Sequence, residues 1–266
     1  RILTALTLEK PRPTNELQAR FLNPVIERLF GGYPDLAYAT ALREGTLPPN
    51  IAVSEFFLMA GRWLSNGHIQ QNYIAANYTH VLRFVLDQGV NVVAQLVAKR
   101  AAVGETRYSL SCNTDLTVPV AAARQAGKTD ILFVGEVNDE LPFMPGDGEF
   151  PASAFSHMLD APDLRFPLLA PPKMPVGPAD YACGFHVARL VPDGGTLQIG
   201  IGSIGDAVAR ALILRHTDNE SFRDVLSRLD GPERGPHHDA PFEIGLYAAT
   251  EMLVDPFLDL IEAGVV

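Results

Sequence analysis

Apolar positions recur along the chain in two alternating rhythms. Continuous apolar runs predict strands over residues 2–8, 90–97, 109–112, 131–134, 196–199 and 242–247. Between them, spacings of three and four predict helices over residues 15–30, 54–64, 78–86, 116–126, 181–191, 206–214 and 256–263. In the first helix Leu17, Phe21, Val25 and Leu29 fall every four residues, and Gly31 and Gly32 stop it. Asn15 with Gln18 three residues on has the form of a capping box. Asp255 followed by Pro256 supplies an N-cap acceptor and a proline at the first helical position. Strands that are apolar throughout, joined by helices, predict an α/β fold of mostly parallel sheets covered by helices.

Two stretches interrupt the rhythm. Residues 141–178 are crowded with proline and glycine, from Pro142, Pro145 and Gly146 to Pro171, Pro172, Pro175 and Pro178. Proline lacks a backbone donor and blocks helices, so an extended connector is expected, with a domain boundary near residue 175. The expected division is 1–175, an N-terminal α/β domain with its connector, and 176–266, the start of a second α/β domain. Residues 218–240 are polar, hold Gly231-Pro232, Gly235-Pro236 and His237-His238-Asp239, and predict a solvated insertion. The first residue is Arg1 at the edge of a strand, and the last are Ala263-Gly264-Val265-Val266, which look like the entry to another strand. A chain cut from a longer polypeptide is expected, a natural short protein being the alternative.

Composition narrows the function. Among 266 residues, 21 Lys and Arg stand against 31 Asp and Glu, a formal charge of −10, which argues against a nucleic-acid partner. Hydrophobic residues at 47% exclude a disordered chain. No apolar stretch approaches the roughly 20 residues a membrane span needs. Cys112 and Cys183 are too few for a disulfide framework, so a reduced, cytoplasmic setting is expected.

The chemistry gathers late in the sequence. Thr196-Leu197-Gln198-Ile199-Gly200-Ile201-Gly202-Ser203-Ile204-Gly205 reads as a strand, a glycine-rich turn and the start of a helix. Converging backbone N–H groups and the helix dipole suit a phosphate, or an oxygen that becomes negative during reaction. The glycines also match the dinucleotide fingerprint G-x-G-x-x-G, but that fold needs two βαβαβ halves and only 61 residues follow Gly205. A nicotinamide- or flavin-dependent oxidoreductase therefore stays open as an alternative, as does a tight turn with no ligand. Thr250-Glu251-Met252 follows a predicted strand, where a carboxylate beside N–H donors can act as a nucleophile. A surface glutamate near a helix start is the other reading. Ser203 directly follows Gly202, so the serine-hydrolase elbow is absent. His237-His238-Asp239 lacks a matching ligand cluster, and no metal is expected.

Together these residues resemble the acetyl-CoA hydrolase/transferase family, which includes acetate and 4-hydroxybutyrate CoA-transferases. The resemblance rests on Leu197-Gln198-Ile199-Gly200-Ile201-Gly202, on Thr250-Glu251-Met252, and on Asp259-Leu260-Ile261-Glu262-Ala263-Gly264-Val265. Glu136-Val137-Asn138 with Pro142 is similar to the family's E-V-N-x-x-x-P stretch, and Gln71-Asn72-Tyr73 through Lys99 is similar to its larger bacterial members. The resemblance implies a CoA-transferase (NagB/RpiA-like) fold with two related domains, the second incomplete. It also implies CoA transfer from an acyl-CoA to a carboxylate, or to water, through a glutamyl-CoA intermediate. Glu251 falls on the nucleophile and the Ile201 N–H on half of an oxyanion site. Gln198, Gly200, Gly202 and Ser203 would bind CoA, which is a substrate; no cofactor is expected. The expected partners are acyl-CoA and small carboxylic acids, in a homo-oligomer, and a non-catalytic acyl-CoA-binding domain is a further alternative. Two positions depart from the family: Gly205 stands where a proline or small apolar residue is usual, and Ala249 where histidine is common.

Overall fold

The computed structural model describes residues 1–59, 61–102, 104–169, 173–229, 237–250 and 252–266. Its contacts divide the chain into two compact units, Arg1–Leu169 and Ala170–Val266.

The first unit runs β1 (Ile2–Thr4), α1 (Glu16–Phe30), α2 (Ala37–Glu44), β2 (Val53–Glu55), α3 (Gly67–Gln71) and α4 (Val81–Asp87). It continues through β3 (Val92–Ala102), β4 (Glu105–Ser109), α5 (Thr114–Gln125), β5 (Leu132–Val137), β6 (Glu149–Pro151) and β7 (His157–Leu159). β1 and β2 pair in parallel, Ile2 beside Val53. The other five strands form one sheet in the order β6-β4-β3-β5-β7. The first half of β3, Val92 to Val97, pairs in parallel with β5; its second half folds back antiparallel on β4, the hairpin closing at Gly104 with φ of 87°. β7 adds in parallel to β5 and β6 antiparallel to β4.

The second unit runs α6 (Pro178–Ala188), β8 (Thr196–Leu197), α7 (Ser203–Thr217), α8 (Asn219–Arg228), β9 (Tyr247–Ala248) and α9 (Asp255–Glu262). β8 and β9 pair in parallel, Thr196 beside Tyr247. One apolar core, including Phe185, Leu197, Leu212, Phe222, Phe257 and Leu260, joins these elements. The fold is α/β with mostly parallel strand pairs, as the apolar runs predict.

Several local expectations change. The described residues of 54–64 form no helix. Val53, Ser54 and Glu55 are all buried in β2, and Leu6 N donates to the Phe57 carbonyl at 2.7 Å, so this apolar run continues the β1 pairing. A short buried run has no periodicity that separates strand from helix. The proline-rich connector is not featureless either: it supplies β6 and β7, the two edges of the five-stranded sheet. Pro151 ends an edge strand, where a missing donor is tolerated. The polar stretch 218–240 contains α8, capped by the Asp218 carboxylate, which accepts from Ser221 N at 3.2 Å. Phe222 anchors it, stacked on Phe185 with centroids 5.5 Å apart. Residues 230–236, with Gly231-Pro232 and Gly235-Pro236, lie outside the described residues, as do Pro171 and Pro172. At α1, Asn15 caps as expected, accepting from Gln18 N at 2.9 Å, while the Gln18 side chain reaches the Thr14 N–H rather than that of Asn15. Its apolar stripe is uncovered, with no α1 residue buried and Leu17 77% exposed.

Candidate active site

β8 delivers its chain into the glycine turn, and each glycine there has a distinct reason. Gly202, the N-cap of α7, has φ of 138°, a conformation side chains rarely adopt. A Cβ on Gly205 would sit 2.6 Å from the Gly200 carbonyl oxygen, so the first turn of α7 packs directly on the loop backbone. Gly200 differs: its φ is ordinary, and nothing comes within 4 Å of where its Cβ would be. Leu197 and Ile199 face the core, and Gln198 and Gly200 alternate to the open side. Ser203 opens α7, half-buried. No described residue accepts a hydrogen bond from the Ile201 N–H, and the Ile201 side chain is 55% exposed.

The second motif meets the first across the β8–β9 pair. Ala249 N donates to the Leu197 carbonyl at 3.0 Å, and Thr250 Oγ1 donates to the Ile199 carbonyl at 3.3 Å. Thr250 Oγ1 also donates to the Met252 carbonyl. Glu251 itself lies outside the described residues. Next in the sequence, Met252 and Leu253 line a cleft of about 370 Å³ together with Ile201, Gly202, Asp206 and Lys173. Lys173 pairs with Asp255 at 2.5 Å, and this hydrogen bond raises the lysine pKa above its ordinary value. Lys173 and Asp206 carry no recognisable sequence signal: one follows a run of prolines and the other sits in an ordinary first helical turn.

The described residues of the histidine-containing stretch make local bonds. His238 N donates to the Arg189 carbonyl at 2.7 Å, and Asp239 pairs with Arg223 at 3.0 Å. Among the described residues no group of His, Cys, Asp and Glu could hold a metal ion. No described helix is long and apolar enough to cross a membrane. Asn138 is 2% exposed and works as a brace: its side chain donates to the Phe166 carbonyl at 2.9 Å and accepts from Glu140 N at 3.0 Å, fastening the connector to the end of β5.

No family model matches the chain. Over 160 residues, 59% of this chain, it is 30% identical to the 4-hydroxybutyrate coenzyme A transferase of Clostridium kluyveri, of which the match covers 28%. Over 168 residues, 62% of this chain, it is 27% identical to the succinyl-CoA:cyclohexane-1-carboxylate CoA transferase of Geobacter metallireducens, of which the match covers 36%. In structure it resembles RipA from Yersinia pestis, with a TM-score of 0.59 at 20% identity, over all of this chain and 56% of that one. The matches thus span well under two thirds of these relatives' own lengths.

Proposed function

Taking its kinship with CoA-transferases as premise, we propose that the complete protein moves coenzyme A from an acyl-CoA thioester to a carboxylate. Hydrolysis results when water replaces the acceptor. The observation that carries this reading is the meeting of the two motifs: Thr250 bonds the Ile199 carbonyl, and Met252 shares a cleft with Ile201.

In this reading the Glu251 carboxylate attacks the thioester carbonyl. The C–S bond breaks, leaving an acyl-glutamyl anhydride and CoA thiolate. The thiolate then attacks the glutamyl carbonyl, forming a glutamyl-CoA thioester and releasing the first carboxylate. A second carboxylate attacks this thioester, and the thiolate, expelled again, takes the new acyl group and frees Glu251. Each addition places negative charge on a carbonyl oxygen, and the Ile201 N–H is the donor available to it. Gln198, Gly200, Gly202 and Ser203 form the surface along which CoA lies. The open space over Gly200 supports this, because the fold itself gives no reason for a glycine there.

Mass spectrometry of the full-length protein incubated with acyl-CoA, with borohydride or hydroxylamine trapping, tests the assignment. The expected result is a modification on Glu251 that is absent from Glu251→Ala. Glu251→Asp should lose about 100-fold in rate, since a shift of about 1 Å in a reacting group has that effect. An adduct on another residue, or full turnover by Glu251→Ala, overturns the proposal.

A further inference from the structure

The two strands that carry the site are each only two residues long. The ladder between them is correspondingly thin: Tyr247 N donates to the Gly195 carbonyl at 3.0 Å and Ala249 N to the Leu197 carbonyl at 3.0 Å. Register in such a pair is weakly specified by the ladder itself. Yet a slip of one residue moves a strand by about 3.3 Å and turns its side chains to the opposite face.

A second set of bonds lies upstream of both strands. The Asp193 carboxylate accepts from the backbone N–H groups of Gly194 at 3.1 Å, Glu243 at 3.0 Å, Ile244 at 3.1 Å and Gly245 at 3.0 Å. Three of these donors are consecutive residues of the segment that enters β9. Gly194 and Gly245 have φ of 72° and 91°, left-handed conformations that let successive N–H groups converge on one anion. Gly194 N is shared with the Gly245 carbonyl at 2.9 Å, closing the two segments on each other. Burial works to raise the Asp193 pKa, but the backbone donors outweigh it and hold the group below the ordinary carboxylate range.

Arg215 supports the same region differently. It is 1% exposed and donates to the Ala188, Val191 and Ala240 carbonyls at 3.0, 2.6 and 2.7 Å. It draws the two segments together, whereas Asp193 alone binds consecutive residues of one segment from a fixed point in the other.

We propose that Asp193 is a positioning residue of the transferase site, fixing the register of β9 against β8 and so setting the Ile199–Gly202 turn beside Thr250 and Met252. This rests on the CoA-transfer reading for its consequence, though not for its geometry. Asp193 sits at the entry of both strands and the cleft at their exit, so its effect reaches the chemistry only through the strands.

The test uses the full-length protein. Asp193→Asn keeps the shape but sets an NH₂ donor against backbone donors; Asp193→Ala removes the acceptor. In either variant, at a temperature where circular dichroism shows it folded, kcat should fall about 10–100-fold with KM within about threefold, as misplacement of reacting groups does. A residue needed only for packing would be rescued by the isosteric Asn. Amide hydrogen exchange of residues 243–245 in the wild type is the second measurement: these loop amides should be protected. Wild-type kcat in Asp193→Asn, or open-loop exchange at 243–245, overturns the proposal. If the variants do not fold, the wild-type exchange decides. If wild type forms no glutamyl adduct, the CoA-transfer reading falls and the register clamp still stands or falls on the exchange.

Discussion

The two units solve burial differently. The first spreads its apolar interior over three clusters, around Phe133 and Val120, around Trp63 and Ile69, and around Val97 and Leu110. It also buries polar groups among its elements: Thr7, Glu55, Ser109, Thr117 and Asn138 are each under 6% exposed. The second gathers its described core into one cluster, and Arg215 is its buried charge. A single apolar core behind a two-stranded ladder leaves the strand exits free to form loops, and the glycine turn and Thr250 sit there. The first unit instead hydrogen-bonds its buried polar side chains locally, Thr7 to Glu55, Ser109 to the Met144 carbonyl and Asn138 to the Phe166 carbonyl.

The sharpest way to break this comparison is truncation inside each kind of core. Leu212→Ala in the second unit should destabilise near the top of the roughly 2–5 kcal/mol range for such changes, since many fixed neighbours keep the cavity open. Ile69→Ala, in a cluster of five buried residues, should lie near the bottom because a small cluster can collapse. Urea unfolding of each variant measures both, and equal losses would remove the distinction.

A smaller effect is expected in stability, but a clear one in activity, at the glycine turn. Gly205→Ala should shift the loop, because its Cβ would meet the Gly200 carbonyl at 2.6 Å. Gly200→Ala has open space and an ordinary φ, so its stability should match the parent within about 0.5 kcal/mol. Its KM for acyl-CoA should nonetheless rise if CoA packs against that position. A thermal melt with steady-state kinetics on the same sample separates the two.

The gentlest probe concerns Glu55 in the first unit. It is 1% exposed, joined through Oε1 to Thr7, whose hydroxyl lies 2.6 Å from Tyr38 Oη. Its Oε2 has no partner among the described residues. Burial raises its pKa above 4.5, with the Thr7 hydrogen bond opposing. A carboxyl whose folded pKa is raised binds its proton more tightly when folded. Its stabilising contribution is therefore full below the unfolded value and is lost as pH rises through the folded one. Glu55→Gln should thus gain on the parent as pH rises above the ordinary carboxylate range, read as a widening gap in urea midpoint. A constant gap would mean Glu55 is ionised in the folded unit.

Much of this architecture is visible in the sequence where one residue type has one use. The turn at Gly200–Gly205 is legible because a strained φ and a close backbone approach both demand glycine. Asn15 is legible because few side chains satisfy an orphan helical donor. The helix α8 is missed because its polar surface outweighs Phe222, Val225 and Leu226 in composition, though their spacing is helical. β6 and β7 are missed because three-residue edge strands carry no period, and prolines around them point to loop. The motif pair Ile201 and Thr250-Glu251-Met252 is legible only as two separate signals. Their meeting depends on a parallel pairing 51 residues apart in sequence, of Thr196 with Tyr247, which no local pattern encodes. Asp193 is silent for the same reason, since three of its four donors lie 50 to 52 residues away.

The edges of the five-stranded sheet have a consequence for how the chain is made. Both outer strands, β6 and β7, come from residues 149–159, after every inner strand has been synthesised. Until that segment emerges, β4 and β5 present unpaired backbone on both flanks, the surface on which nascent chains pair with one another. At about 5–20 residues per second, the interval from the end of β5 to the end of β7 lasts a few seconds at most. A chain that has emerged only to a point between residues 137 and 149 has its sheet open at both sides, and the late proline-rich segment is what closes it.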